Sequence, residues 1–258
     1  MASWAMLHWR RSTGPAVKRR HPLIWVNELT WWIGAGCRYP LGVATVLRIR
    51  RPDLLIADPY ALALKFFLED ASSVGPLAYD PYIASGESPA NRIVLRDVVA
   101  INRTMRARSA HTHWAALIER GDLPELAAVD PGWDAFLTTD DEWDRSDVPR
   151  RVTSLIDAVL GRGIGVSVAT KALHIKRPAL IPICDSYVLR LMGIPESGGA
   201  SVAAMIEHLR DSRAGLLATL SDIQKRLAAV GVERSLVRIM DVLLWGSHPD
   251  TWLYQAGK

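Results

Sequence analysis

Residues 160–190 read LGRGIGVSVATKALHIKRPALIPICDSYVLR, and the order of residue types in this stretch decides the fold. A helical pattern of apolar residues ends near Leu160, glycines follow at positions 163 and 165, and a second helical pattern begins at Val166. A proline-rich connector then leads to a single acid, Asp185, at the predicted start of a third helix. The stretch therefore predicts two helices joined by a tight turn, followed in the chain by one carboxylate at the start of a third helix.

The glycine turn suits the binding of a phosphate. Its glycines permit the positive φ angles of a sharp turn and let a ligand approach the backbone without meeting a Cβ atom. The free amides at the start of the second helix, together with the helix dipole, favour an anion there. Without the acid behind it, the turn would more simply be a helix C-cap followed by an N-cap. The residues predicted to contact a nucleic-acid backbone are Gly163, Ile164, Gly165, Val166, Lys176 and Arg177.

Helical patterns dominate the rest of the chain, so the fold class is predicted as all-α. A capped apolar pattern predicts a helix from Asp58 to about Glu69, and the longest pattern runs from Asn91 to Gly121 with a break near Ser109. Residues 72–92 are rich in turn formers and residues 122–147 are acidic, so both are predicted as loops. No run alternates clearly enough to predict a strand. The later predicted helices are 148–160, 166–175, 185–192, 201–210, 215–230 and 235–245.

Positive charge is concentrated at the start of the chain. The net charge is +4, but residues 1–51 hold nine Lys or Arg and one acid, Glu28. We therefore divide the chain into a basic, Trp-rich arm over residues 1–52 and a helical domain over residues 53–258. A basic arm on a near-neutral body suits a polyanionic partner, and a solvated leader is the alternative interpretation.

Composition argues against several classes of protein. No apolar run is long enough to cross a bilayer and the start of the chain lacks a cleavage signal, so we expect a cytoplasmic protein without a membrane partner. Two cysteines, Cys37 and Cys184, cannot build a disulfide framework, a four-cysteine zinc site or an iron–sulfur cluster. No His interleaves the acidic cluster at residues 140–144. We therefore expect no metal and no cofactor in catalysis.

The glycine turn and the acid resemble the helix–hairpin–helix (HhH-GPD, endonuclease III-like) superfamily of DNA glycosylases. Gly163-Ile164-Gly165 matches the hairpin of that family, and Asp185, Val188 and Arg190 match a second element, [VL]-D-[TG]-x-V-x-R. Ser167 lies eighteen residues before the acid, which is the spacing usual in the family. The resemblance covers about residues 149–193.

The departures from the family pattern indicate a branch that lacks the iron–sulfur cluster. Gly161-Arg162 replaces the usual Leu-Pro before the turn, and Tyr187 stands where His or Asn is common. The cysteines that hold the cluster in other branches are absent. A run of the form Lys-Arg-Pro…Ile-Pro-x-x-Asp-Ser is shared with a cluster-lacking group of bacterial proteins, and this likeness names no substrate.

The resemblance implies an HhH-GPD-like fold with a hairpin over about residues 149–177 and a catalytic-acid element over residues 183–192. It also implies an N-glycosylase that flips one nucleotide out of double-stranded DNA and excises its base by hydrolysis. Asp185 would be the catalytic residue. Bifunctional members carry a lysine where this chain has Ser167, so the resemblance implies a monofunctional enzyme without lyase activity. Lys171, one turn further along, is the alternative amine.

Other roles follow from the same resemblance. Asn102 and Arg103 are candidate wedge residues that fill the gap in the base stack, and a monomer is expected. The hairpin carbonyls are a candidate site for a structural monovalent cation. The aromatic residues proposed for the base pocket are Tyr187, Trp114 and Tyr82.

Alternative functions remain open from the sequence. In a DNA-binding module that has lost its chemistry, Asp185 only caps its helix. A helical interaction protein without a nucleic-acid role is a third interpretation. For the enzyme, the target is a damaged, mispaired or modified base, and both DNA repair and defence against modified foreign or phage DNA are compatible with the residues.

Overall fold

The computed structural model describes residues 46–49, 54–72 and 78–255. Most of the predicted basic arm lies outside these ranges. Among the described residues, two short strands are followed by twelve helices. This order confirms the all-α class apart from one small pair of strands. No helix in these ranges is long and apolar enough to cross a bilayer. The elements are β1 Val46–Ile49, β2 Leu54–Ala57, α1 Pro59–Ser72, α2 Tyr79–Ser85, α3 Leu95–Arg103, α4 His111–Arg120, α5 Pro124–Ala127, α6 Asp140–Arg145, α7 Val148–Val159, α8 Val166–Lys176, α9 Ser186–Met192, α10 Gly199–Ala228, α11 Leu236–Gly246 and α12 Trp252–Gln255.

The strands form an antiparallel hairpin that the sequence did not predict. Val46 pairs with Ala57, and Leu47 and Ile56 are buried in the main core. Strand β1 also packs against helix α10. The domain boundary expected at residue 52 therefore lies between two paired strands, and Leu47 of the first strand is buried in the same core as the helices.

Helix α10 is the longest element and forms the largest helix–helix contact of the fold, with α7. The sequence predicted two helices here, interrupted between Arg210 and Gly215. The helix continues because Arg210 and Arg213 both bind the carboxylate of Asp140 on α6, which stabilises this segment. Near its start, a Cβ atom on Gly199 would lie 2.3 Å from the carbonyl oxygen of Thr153, so α10 and α7 are in backbone contact.

The remaining helix predictions are confirmed in part. Helix α1 begins one residue after the predicted cap Asp58, and the break near Ser109 separates α3 from α4. The two predicted loops, 72–92 and 122–147, contain the short helices α2, α5 and α6, so these predictions were wrong for about two fifths of the residues described there. Short helices of four to seven residues carry too few apolar repeats to be recognised from a pattern.

His174 on α8 is a fully buried imidazole in the core. Its Nδ1 atom donates to the carbonyl oxygen of Ile181 at 2.6 Å, and its ring stacks on Tyr79. The Nε2 atom has no hydrogen-bond partner among the described residues. Burial lowers the pKa of His174 to about 4, so the ring is neutral at physiological pH.

We expect His174 to make stability depend on pH. In the unfolded chain histidine titrates near pH 6.5, so between about pH 6.5 and 4 the unfolded state holds one proton more than the native state. The free energy of unfolding therefore decreases as the pH is lowered through this range. The contribution amounts to about 3 kcal/mol. Burial also raises the pKa of Asp241 to about 7, which acts in the opposite direction in the same window.

The comparison of wild type with His174→Asn isolates the histidine from Asp241. Urea unfolding at a series of pH values is expected to show the difference in unfolding free energy shrinking by about 3 kcal/mol as pH falls from 6.5 to 4. His111→Asn, at an exposed position, serves as the control and should leave the curve unchanged. Parallel curves for wild type and His174→Asn would show that the imidazole is charged or exposed in the native state.

Candidate functional site

The hairpin turn, residues 160–165, joins α7 to α8 as the sequence predicted. The amide of Gly161 donates to the carbonyl of Ile164 at 3.1 Å, and the amide of Ile164 donates back at 2.9 Å. Gly163 adopts a φ of +77°, and the buried side chain of Ile164 anchors the turn in the core. Gly165 precedes α8 and offers no capping side chain, so no side chain at the N-cap competes for the first amides of this helix, which are the groups that would bind an anion.

Ser109 and the first turn of α4 pack against the hairpin turn. The Ser109 hydroxyl donates to the carbonyl oxygen of Gly163 at 3.2 Å and accepts from the Trp114 indole N–H at 2.9 Å. A Cβ atom on Gly163 would lie 2.0 Å from Nδ1 of His113. This contact and the positive φ together require glycine at position 163.

We expect Gly163→Ala to destabilise the protein by about 2–3 kcal/mol. A left-handed alanine costs about 1–2 kcal/mol, and displacing His113 from the turn adds to this cost. Thermal denaturation is the measurement. Gly161→Ala is the matched control because a Cβ there meets nothing within 4 Å and its φ is not left-handed. Equal stability of the two variants would contradict the close packing of His113 on the turn.

Asp185 forms the N-cap of α9, as its position in the sequence predicted. Its Oδ1 atom accepts from the amides of Tyr187 and Val188, both at 2.9 Å. Its Oδ2 atom has no partner within the part of the chain that the structure describes. The side chain is half-buried. One carboxylate oxygen is thus held by the backbone, while the other remains available for a ligand or a water molecule.

Asp185 is held against α8, the helix that begins at the hairpin turn. The amide of Cys184 donates to the Thr170 hydroxyl at 3.2 Å, which fixes the connector to α8 immediately before the acid. Thr170 lies five residues after Gly165, and a helix rises 1.5 Å per residue, so this anchor lies about 8 Å along α8 from the turn. The connector that carries Asp185 is therefore attached to the helix that begins at the hairpin turn.

Lys171, on α8, lies close enough to Asp185 for the two charges to interact. Its amine donates to the carbonyl oxygen of Met105 at 3.1 Å, and the side chain is almost fully buried. Burial lowers the pKa of Lys171, and the negative charge of Asp185 partly opposes this shift. Ser167 is half-buried one turn earlier on α8. Sequence reasoning placed all three residues in one site; the structure shows Lys171 within electrostatic reach of Asp185 and places Ser167 on the same helix as Lys171.

Asp241 on α11 is a second carboxylate of the site that sequence reasoning missed. It is buried and accepts from Arg238 at 2.6 Å, while Arg238 also binds both oxygens of Asp80 at 2.9 Å. Burial raises the pKa of Asp241, and the charge of Asp185 adds to the effect. The signal in the sequence was an acid inside an otherwise apolar helix, LVRIMDVLLWG.

Residues 61–248 match the model of a family described as a family of unknown function, DUF6308. The chain belongs to this family. The matched region contains the hairpin turn, Lys171, Asp185 and Asp241. No curated protein matches the chain, and no solved structure matches it. Membership of the DUF6308 family names no reaction, so the chemistry is argued from the side chains.

Two basic residues of the DUF6308 region were wrongly predicted to contact a nucleic-acid backbone. The Lys176 amine is buried and binds Oδ2 of Asp97 at 2.6 Å. The Arg177 side chain is 1% exposed. Its guanidinium donates to four backbone carbonyls and to the side-chain oxygen of Asn91, over 2.7–3.0 Å. Both cations stabilise the interior and are unavailable to a phosphate.

Two of the three aromatic residues proposed for a base pocket are also structural. Trp114 and Tyr82 are buried in the core, and the Tyr82 hydroxyl donates to Oδ1 of Asp97 at 2.9 Å. Tyr187 is different because it is half-buried and follows Asp185 by two residues. Its ring contacts the ring of His248 at 4.7 Å and the Arg190 guanidinium at 5.2 Å. Tyr187 therefore remains the candidate for stacking.

The wedge prediction is corrected for Asn102. Its side-chain oxygen accepts from the amide of Ser109 at 2.9 Å, and its side-chain nitrogen donates to the carbonyl of Ser109 at 2.8 Å. An amide that uses both ends to hold a loop cannot enter a base stack without releasing that loop. Arg103 is exposed and stays a candidate. Among the described residues, no group of three or more His, Cys, Asp or Glu side chains is placed to hold a metal ion.

Proposed function

We propose that this protein is a monofunctional DNA glycosylase that hydrolyses the bond between a base and its deoxyribose. The observation that carries the proposal is Asp185, whose Oδ1 atom is fixed by two backbone amides and whose Oδ2 atom accepts no hydrogen bond from the described residues. The acid lies beside the helix that starts at the hairpin turn. An HhH-GPD-like fold is part of the proposal, supported by the helix–turn–helix over residues 148–176 and by the capped acid that follows it.

The hairpin turn is the proposed contact with the backbone of duplex DNA. The amides at the start of α8 and the dipole of that helix attract a phosphate. A contact of this kind positions the duplex without reading its sequence. The enzyme would then act on a nucleotide rotated out of the stack toward Asp185, since an enzyme cannot reach the target bond inside a duplex.

Asp185 would stabilise the transition state of the reaction. As the bond between C1′ and the base nitrogen breaks, positive charge develops on the sugar, and a carboxylate in a partly dry site stabilises that charge. A water molecule attacks C1′ and loses a proton, and the departing base gains one. The products are the free base and an abasic site, so the reaction needs no cofactor.

Two observations support a reaction without strand cleavage. At the position where bifunctional HhH-GPD enzymes carry a lysine this chain has Ser167, whose hydroxyl cannot form a Schiff base. The nearby amine of Lys171 is bound to the carbonyl oxygen of Met105. We therefore propose that borohydride treatment during the reaction traps no covalent complex.

The target base is proposed only as a class. Tyr187 offers a half-buried ring two residues after Asp185, and aromatic rings stack on any base. Damaged, mispaired and modified bases all fit this description. Repair of the cell's own DNA and attack on modified foreign DNA differ in the substrate and not in the chemistry.

A panel of duplexes tests the proposal. Each duplex carries one damaged, mispaired or modified base, and alkali after incubation converts any abasic site into a strand break. We expect breaks on at least one duplex after alkali and none before it. Binding to duplex DNA without excision of any base would instead favour a non-catalytic DNA-binding module, in which Asp185 serves only as the cap of α9.

A further inference from the structure

The segment between α3 and α4 carries two arginines in a conformation that arginine rarely adopts. We call residues 103–110 the arginine loop. Within it, Arg106 and Arg108 have φ angles of +49° and +53°. Asp58 and Asp147 are the other non-glycine residues with positive φ in the described ranges, and aspartate tolerates this region far better than arginine. Backbone strain of this kind persists only where the surroundings enforce it, and it concentrates at functional sites.

The surroundings of the arginine loop do enforce its shape. Both ends of the Asn102 side-chain amide bind the backbone of Ser109, and the amide of Ala107 donates to the carbonyl of Ile101 at 3.2 Å. The side chains of Arg103, Arg106 and Arg108 are exposed by contrast. None of the three forms an ion pair within residues 46–49, 54–72 and 78–255. The fold thus holds three unpaired cations toward solvent.

The arginine loop and the hairpin turn are in contact, and both carry positive charge. They meet where the Ser109 hydroxyl donates to the carbonyl of Gly163. No acid occurs between Asp97 and Glu119, and none occurs between Asp157 and Asp185. The exposed basic residues of the two segments and of the start of α4 are Arg103, Arg106, Arg108, His111, His113 and Arg162.

The arginine loop also reaches the proposed active site. The carbonyl oxygen of Met105, immediately before Arg106, accepts from the Lys171 amine at 3.1 Å. Lys171 in turn lies close enough to Asp185 for the two charges to interact. The arginine loop therefore contacts the hairpin turn through Ser109 and the neighbour of the carboxylate through Met105.

We propose that Arg106 and Arg108 bind backbone phosphates of duplex DNA adjacent to the phosphate at the hairpin turn. The inference rests on the proposed function, because it takes the hairpin turn as a DNA contact. Each phosphate neutralised by an arginine releases condensed counterions and adds about 0.9 to the slope of log affinity against log salt concentration. Two such contacts account for about 1.8 of the slope.

The test compares two double variants of equal net charge. Arg106→Gln/Arg108→Gln removes both cations from the arginine loop. Arg145→Gln/Lys225→Gln removes two exposed cations from α6 and α10, which do not adjoin the hairpin turn. Fluorescence anisotropy with a labelled duplex, over a range of NaCl concentrations, gives affinity and salt slope. We expect the first variant to lose about 1.8 from the slope and at least tenfold in affinity at physiological salt, and the second to behave as wild type.

A second pair of substitutions separates DNA contact from folding. Asparagine adopts left-handed φ more readily than arginine, so Arg106→Asn/Arg108→Asn should have an unchanged or raised melting temperature. We expect this variant to lose the same DNA affinity as the glutamine variant. A wild-type salt slope in both variants would overturn the inference. That result would leave the proposed function intact if wild type still excises a base, whereas altered slopes without any excision would overturn only the proposed function.

Discussion

We expect Asp185→Asn to lower the rate of base excision by about 10²- to 10³-fold while leaving affinity for duplex DNA within about twofold of wild type. The asparagine side chain keeps an oxygen that can accept from the amides of Tyr187 and Val188, so the cap of α9 survives. The negative charge is lost, and with it the stabilisation of a positively charged sugar. The change therefore separates catalysis from capping.

Single-turnover excision with the best substrate of the panel is the measurement, alongside anisotropy for binding. Asp144→Asn, an exposed acid on α6, controls for the loss of one negative charge. Asp185→Ala should lose activity as well and should also cost about 1 kcal/mol of stability, because alanine cannot cap the helix. Excision by Asp185→Asn at the wild-type rate would reduce the acid to a helix cap.

The largest expected effect on stability belongs to Arg177. We expect Arg177→Met to lower the free energy of unfolding by about 4–6 kcal/mol, because truncation leaves buried acceptors without a donor at about 1–3 kcal/mol each, partly relieved by relaxation. The acceptors are the carbonyl oxygens of Ala90, Leu126, Val129 and Lys176 and the side-chain oxygen of Asn91.

Urea unfolding measures this loss, and Arg162→Met gives the opposite pattern as a control. Arg162 is exposed on the hairpin turn, so its replacement should leave stability within about 0.5 kcal/mol and weaken DNA binding. If Arg177→Met instead remained as stable as wild type and lost DNA affinity, the guanidinium would be a phosphate contact and the burial described above would be wrong.

The contrast between Arg162 and Arg177 shows where sequence reasoning stops. Helices α7 and α8, the turn between them and the capping position of Asp185 were predicted because each depends on residues within one or two turns of chain. The role of Arg177 depends on carbonyls from residues up to 87 positions away. An exposed cation on the hairpin turn and a cation buried in the core look alike in a sequence.

Similar physics explains the other departures. The strands β1 and β2 are four residues each, too short for alternation to stand out. Helix α10 runs through its predicted break because Asp140, from another helix, binds two of its arginines. In the candidate site, Asp241 was missed and Trp114 was misplaced because both depend on tertiary packing. The positive φ angles of the arginine loop could not be predicted, because the sequence pattern gives no information on the φ angle of an arginine.

The backbone contact between Gly199 and Thr153 bears on how the molecule would meet a duplex. Helix α10 spans about 45 Å, and at Gly199 its backbone touches that of α7 without an intervening side chain. The start of α10 also lies beside the start of the hairpin turn, since a Cβ atom on Gly198 would lie 3.5 Å from the Leu160 side chain. If the turn binds DNA as proposed, this close packing would leave most of the deformation to the nucleic acid, and sequences that kink at low cost would bind more tightly than stiff ones.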